Sequence, residues 1–488
     1  MTSLADPGST NSLPTWFLPA VALAVLIPRL IFVLSFPAME GDGMVYTTVA
    51  LNILHNGCVS MSDPGLSACA PHWGGNQLPG YPAFIALSWL LTGSWASAPL
   101  VAQAMAYAAA ATCVVRALIL SGTGTRAVLA ATAVLVFSPT FVAWPRMLLT
   151  ETLALAAALW VLGILIRAFS NSRIPTLELG IAFAIGLFIR YDFVLLAIPV
   201  IIAGFTIHRP AEALRRGTVV ILIVAIPYGA WTLRSMSADL PPFPPFGLTD
   251  EGEQLAPGTL EWMGTWVASP YDLPNSVWPL VTGDYGNIQP PDRAFTDAEE
   301  RQLVGELLAQ LRQIKPGPVP DQVDAAFADL AALRRSENRV YLRLVLPLRR
   351  AAEMWFSPFP SMGWPAEVGT GRAELMSAVK TRDFGAIAIF VFDSAGPAAA
   401  KAIVGGWRLL VIGVLGFVII ANILGRRKDQ GLIWLALAYG LVRTGVFAST
   451  VLVEARYLLP AFMWLEISLV LAYFGPNTYG FRDAKSDL

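Results

Sequence analysis

Long apolar runs recur from one end of this chain to the other, and no other feature restricts its fold so strongly. They occupy about 16–36, 99–120, 127–145, 148–167, 176–190, 192–207, 217–234, 404–424, 431–450 and 457–474. Several approach the ~20 residues that an α-helix needs to cross a bilayer. Charge is correspondingly thin: 14% of the residues are charged and 55% hydrophobic, against roughly 25% charged in soluble domains. The chain reads as an all-α polytopic membrane protein. A net charge of -1 with no basic tail argues against nucleic acid as a partner. The first run, 16–36, lacks a basic n-region, exceeds a usual h-region and contains Arg29, so it reads as a retained first transmembrane helix.

A further apolar stretch, "YPAFIALSWLLTG" (81–93), is shorter. Thirteen helical residues reach about 20 Å, short of the ~30 Å hydrocarbon core. The connecting segments carry Arg126, Arg167, Arg173, Arg209, Arg215, Arg216, Arg426, Arg427, Lys428 and Lys485, and these share one side only if 81–93 does not cross. The positive-inside rule makes that side cytoplasmic. Ten crossings with both ends inside are expected, within a range of ten to twelve because 176–190 and 192–207 are short.

This parity divides the chain into a core, 1–234, with a first outer loop at 37–98; an extracytoplasmic segment, 235–403; and C-terminal helices with a short cytoplasmic tail, 404–488. The outer segment opens with "DLPPFPPFG", too proline-rich for a regular helix. It continues through Trp262, Trp266 and Trp278 to a stretch of helical periodicity at 297–314. In 338–356, Arg339, Arg343 and Arg350 recur at helical spacing, with Leu342, Val345, Leu346 and Trp355 on the other face. That pattern suits a helix at the lipid headgroups, or one packed on a small external domain. Cys58 and Cys69 share the first outer loop and either pair or remain thiols, while Cys113 stands alone in an apolar helix.

The ionisable residues near span ends carry the functional signal. "FPAMEGDGMVYTTVALNIL" (36–54) sets Glu40 and Asp42 just beyond the first span. Glu151 opens the fourth span, Arg190 and Asp192 occupy a turn between spans, and Arg456 and Tyr457 lie beside Glu454 at the start of the last. With Arg29 in the outer half of the first span, they share one expected depth, where charge is costly unless paired or functional. Single residues there also snorkel, but the set as a whole points to one site. There is no P-loop, dinucleotide fingerprint, zincin pair or nucleophile elbow. Of three histidines, His208 lies in a cytoplasmic loop; His55 and His72 with Asp42 leave room for a divalent cation, though no ligand set is assigned.

The acidic pair, "VYTTVALNILHNG", "LPGYPAFIALSWLLTG", "FSPTFVAWPRMLLTETLALAAALW", "RYDFVLLAIP" and "EARYLLPAF" succeed one another in an order that resembles the GT-C glycosyltransferases. The likeness is to the family 39-like bacterial enzymes related to protein O-mannosyltransferases and aminoarabinose transferases, over about 16–234 and 404–475. It implies a GT-C helix bundle with juxtamembrane helices, in a bacterial inner membrane with its site on the outer face. It also implies a hexosyl- or pentosyltransferase that takes sugar from a polyprenyl-phosphate donor to a glycolipid, cell-envelope glycan or protein. Asp42 inherits the role of general base, Glu151 matches the second acidic position, and Arg456 and Tyr457 resemble the family's arginine-tyrosine pair.

Physical chemistry supports these roles. A carboxylate takes the proton of an attacking sugar hydroxyl, and a fixed arginine stabilises the departing lipid phosphate. Arg456 is the first choice for that arginine and Arg190 the second, with Arg29 orienting a carboxylate. Glu40, Tyr46, His72 and Asp192 are candidate contacts for sugar or acceptor, and Tyr81 of "PGYPAF" lines a lipid groove. The rival class is a multi-pass transporter or flippase, which calls for repeats and mid-bilayer sites; a surface-polysaccharide ligase or polymerase shares the chemistry but not the acidic first loop.

Overall fold

The structure is a computed structural model that describes residues 13–39, 41–65, 78–93, 95–239, 256–314, 318–356, 363–365, 378, 381–387, 395–424 and 431–474. Glu40, Cys69 and His72 lie outside the described residues. The helices of the first part are α1 (Phe17–Ser35), α2 (Asp42–Asn56), α3 (Gly80–Thr92), α4 (Ala98–Leu120), α5 (Thr125–Phe137), α6 (Glu151–Asn171), α7 (Thr176–Ile189), α8 (Ala197–Ile207) and α9 (Pro210–Ser237). A second set comes next: α10 (Pro257–Met263), α11 (Val277–Val281), α12 (Ala298–Arg312), α13 (Asp321–Glu337) and α14 (Leu346–Phe356). The chain closes with α15 (Ala395–Ile423), α16 (Gly431–Ala448) and α17 (Leu459–Phe474). Among the described residues no strand forms, only an isolated bridge between Ala38 and Met147.

Seven of these helices are long and apolar enough to cross a membrane: α1, α4, α6, α9, α15, α16, and α17 with the turn before it. The chain is a multi-pass membrane protein of all-α class. Three expected spans are shorter helices, and side-chain contacts show where they run. Gln103, near the start of α4, donates to the carbonyls of Pro145 (2.8 Å) and Met147 (2.7 Å). The chain that leaves α4 at its far end has therefore returned to the starting level. The expected helix to 145 ends at Phe137, because Pro139 and Pro145 cannot continue the ladder; the buried Phe141 and Trp144 fill the bundle instead.

The next helices are located in the same way. α7 starts beside the Arg167–Glu178 ion pair (2.5 Å), and Arg190 just past its end meets Glu151 (2.8 Å) at the opposite end of α6. Residues 191–207 run back, bringing His208 Nε2 within 3.4 Å of the Ile174 amide. α9 leaves from there, with Arg216 donating to Ile174 O (3.0 Å), and ends where Arg234 donates to Val59 O (3.1 Å). Arg167 and Arg216 thus share one end of the bundle, and Glu151 and Arg190 the other. α3 has both ends near the start of α4: Tyr81 Oη donates to Gln103 Oε1 (3.0 Å), and Ala98 lies only a few residues beyond Thr92. α6 is buried along nearly its whole length, whereas α9 has only Ser235 buried and turns its apolar side chains outward, as a lipid-facing helix does.

The second set builds a second core around Trp262, Trp266, Leu308, Leu311 and Phe327. The periodic stretch at 297–314 forms α12, capped by Asp297, whose carboxylate accepts from the Glu300 amide (2.8 Å). Inside this core Glu300 pairs with Arg334 at 2.7 Å, each side chain 7% exposed, and accepts from the Thr296 amide (2.8 Å). Burial pushes the Glu300 carboxyl up, and the bonds from Arg334 and Thr296 outweigh it, so it titrates below its ordinary range. Replacing Glu300 by Ala strands a buried guanidinium and should cost this unit about 3–5 kcal/mol. Because the folded pKa is depressed, the wild-type contribution is complete above the unfolded value of about 4.3 and drains away as pH falls through the folded one. Tryptophan-fluorescence melts of both proteins between pH 3 and 7 check both statements: the gap between them should narrow at the acid end.

α14 corrects one expectation. Arg339 and Arg343 are exposed, but Arg350 is buried and donates to Val267 O (2.8 Å), Gly264 O (2.7 Å) and Ala448 O (3.3 Å). A π-helical turn at Tyr341–Val345 is the reason: its extra residue rotates the succeeding turns off the Arg339 face. Val340, Leu344 and Leu348 form the exposed apolar stripe, while Leu346 turns inward. Arg350 thereby pins this second core to the end of α16. α15 begins at Ala395, earlier than the expected 404. Cys58 is disulfide-bonded, and Cys113 is free.

Candidate functional site

The approach to Asp42 is shaped by the glycine before it. Gly41 stands before α2 with φ 59° and ψ -125°, a conformation side chains with a Cβ rarely adopt. The entry to α2 is also held from the side: the Ala38 amide donates to Arg146 O and the Leu148 amide to Ala38 O, both at 2.9 Å. A Cβ on Gly43 would lie 3.0 Å from Leu148 O. Arg146 fastens the same place from below, donating to Phe36 O (2.9 Å) and Trp364 O (2.8 Å). Asp42 is thus set beside the short link that leads into α6, whose first residue is Glu151.

Arg456 arrives from the turn Ala455–Leu458, between α16 and α17. Its guanidinium lies 3.6 Å from Asp42, 3.7 Å from Glu151 and 2.5 Å from Glu454. Arg190, extending the row, reaches Glu151 (2.8 Å), Thr150 Oγ1 (2.9 Å) and Asp192 (3.0 Å). Arg443 of α16 closes it on the other oxygen of Asp192 at 2.5 Å. Four carboxylates and three guanidinium groups, from distant stretches of the chain, form one connected row. Burial is uneven along it. Glu151 is 5% and Arg456 11% exposed, but Asp42 is 57% exposed, so the one open carboxylate is the one an incoming molecule meets first.

Tyrosines wall this row. Tyr46 crosses the Tyr81 ring edge-on at 5.0 Å between centroids. Burial raises the Tyr46 phenol well above its ordinary range, Asp42 and Glu151 add to this, and Arg190 and Arg456 oppose it, so it stays a neutral donor beside them. Tyr457 stacks on Phe447 at 4.2 Å and lies under the guanidinium groups of Arg190 (5.8 Å) and Arg456 (5.6 Å). Nearby is an apolar cavity of about 500 Å³, lined by Leu153, Ala156 and Trp160 of α6, Ala110 of α4, Phe84 of α3 and Ile189 of α7. Leu153 is two residues from Glu151 and Ile189 adjoins Arg190, so the cavity lies close to the row along the chain, while none of the row's charged side chains lines it. Gly80 makes one wall possible: a Cβ there would sit 2.4 Å from Phe188 O.

Of the residues singled out in the sequence, Asp42, Glu151, Arg190, Asp192, Arg456, Tyr457 and Tyr46 come together here. Tyr81 joins them through its ring and holds Gln103 with its hydroxyl. Arg29 does not. It is fully buried, donates to Val25 O (2.7 Å) and Leu135 O (2.9 Å), and lies 4.2 Å over the Tyr107 ring. His55, at the far end of α2, is about 20 Å along the axis from Asp42, too far to share a cation with it. Among the described residues no group of three His, Cys, Asp or Glu side chains is placed to hold a metal ion.

Arg443 is absent from the residues singled out in the sequence, although an arginine inside the apolar run "YGLVRTGVF" is itself a signal. So is Glu466, partway along α17, which accepts from Trp407 (2.9 Å) and Thr140 (3.3 Å). Chemically, the row supplies an open carboxylate and fixed cations for an anion, and an apolar cavity lies nearby. In comparisons with protein-family models, curated proteins and solved structures, the chain matches none.

Proposed function

We propose that this chain is a GT-C-type membrane glycosyltransferase that moves a sugar from a polyprenyl-phosphate donor to an acceptor outside the cytoplasm. The observation that carries this reading is the pairing of Asp42 with Arg456, 3.6 Å apart, with an apolar cavity nearby that Leu153 and Ile189 border. An amphipathic donor fits such a place, its phosphate at the guanidinium and its prenyl tail in the cavity. The bundle end that carries Arg167 and Arg216 faces the cytoplasm by the positive-inside rule, which turns Asp42 outward.

The displacement then runs in one step. The acceptor hydroxyl oxygen attacks the anomeric carbon while Asp42 takes its proton. The bond from that carbon to the phosphate oxygen breaks, and the configuration inverts. The departing phosphate gains charge, which Arg456 offsets in a site largely screened from water. Glu151, held between Arg190 and Arg456, fixes the aim of both guanidinium groups and prevents their mutual repulsion from splaying the site.

The test uses purified protein in liposomes, a polyprenyl-phosphate donor labelled in its sugar, and a cell-envelope acceptor fraction. Label should leave the lipid and appear on the acceptor with release of polyprenyl phosphate. Label that crosses the bilayer still attached to its lipid would make the protein a flippase and end this reading.

A further inference from the structure

We infer that the external unit carries a groove for a neutral glycan, at α11, which gathers the acceptor for the membrane site. The groove is open, about 370 Å³, and is lined by Asn275, Trp278, Thr282, Asp284, Asn287 and Gln289. This residue set has a chemical meaning. A pyranose or furanose ring offers C–H faces that pack on an indole, and adjacent hydroxyls that amides and a carboxylate bind in pairs. No arginine or lysine lines the groove, so it is not built for phosphate, and one aromatic ring among polar groups suits neither a lipid tail nor an apolar helix.

The groove is held in shape before anything binds. The Gln289 amide donates to Asn275 O (2.8 Å), which stitches its two rims together. Asn287 Nδ2 donates to Asp284 Oδ2 (2.5 Å), and Thr282 Oγ1 to Trp278 O (3.1 Å). Pro274 and Pro279 stiffen the wall that carries Trp278. Such a site has little ordering entropy to lose on binding. The side-chain amides of Asn275 and Gln289 and the indole N–H of Trp278 make no hydrogen bond to other described residues and are available to a ligand.

Its position gives it a purpose. The core that supports α11 packs against Val451 and Leu452, a few residues before Glu454 and Arg456, and Arg350 ties it to Ala448. Groove and charged row therefore belong to the same end of the molecule. The role as acceptor subsite rests on the transferase reading; the binding itself does not.

The full-length protein in nanodiscs is titrated with mannotetraose, arabinotetraose, galactotetraose and chitotetraose, and binding is monitored by saturation-transfer NMR. At least one tetrasaccharide should bind. Trp278→Ala should weaken that binding by about tenfold or more, and Trp278→Phe should keep most of it. Should Trp278→Ala not fold, the surface pair Asn287→Ala and Gln289→Ala should produce a comparable loss. A failed transfer assay beside intact, Trp278-dependent binding leaves the groove standing and removes only the transferase. Binding of no tetrasaccharide, binding indifferent to both sets of substitutions, or preference for a serine- and threonine-rich octapeptide would overturn the inference.

Discussion

Asp42→Asn should lower sugar transfer by about 10²- to 10⁴-fold, the range a positioned general base supplies. The substitution keeps size and shape and removes the basic oxygen. Little else should change, because this side chain is 57% exposed and its ion pair with Arg456 is long at 3.6 Å. Surface pairs of that kind contribute only ~0–1 kcal/mol. Initial rates with labelled donor, alongside thermal melts and donor binding, check the expectation. Full turnover in the variant would remove Asp42 from the chemistry.

Arg456→Ala should be the second large effect, and it should act in two ways. On the transferase reading it removes the cation offered to the departing phosphate, and in any case it strands Glu454, which is 7% exposed. Burial already pushes the Glu454 carboxyl up, and Arg456 is the main influence holding it down. Breaking a buried pair from one side costs about 3–5 kcal/mol, so the single variant should melt earlier as well as lose transfer by roughly 10²-fold or more. The double variant Arg456→Ala with Glu454→Gln separates the two effects, since the second change removes the stranded charge. Stability should recover in large part, and transfer should not. Recovery of both would reduce Arg456 to a structural counter-ion.

The contrast between Arg29 and Arg190 shows how far a one-dimensional reading reaches. Counting residues from span ends puts both at the same depth, yet Arg190 lies against Glu151 at 2.8 Å while Arg29 is turned onto the carbonyl of Leu135. Depth comes from position along a helix, but the direction of a side chain around the axis advances about 100° per residue and depends on how each helix is rotated in the bundle. Arg350 makes the same point, since one π-helical turn, invisible in the apolar pattern, is enough to move it from the expected polar face to the interior. Arg443 is legible in principle, as a charge inside an apolar run, but nothing in its neighbourhood along the chain names Asp192 as its partner.

The apolar runs by themselves determined a helical membrane protein and the level at which Asp42, Glu151, Arg190 and Arg456 would be found. A bilayer turns hydropathy into a coordinate of depth, so that much needs no knowledge of packing. Which charges meet, which one stays open to solvent, and where an apolar cavity forms were decided by tertiary contacts. Close approaches such as Gly43 on Leu148 and Gly80 on Phe188 set the rotation of α2 and α3, and those rotations dictate which side chains pair.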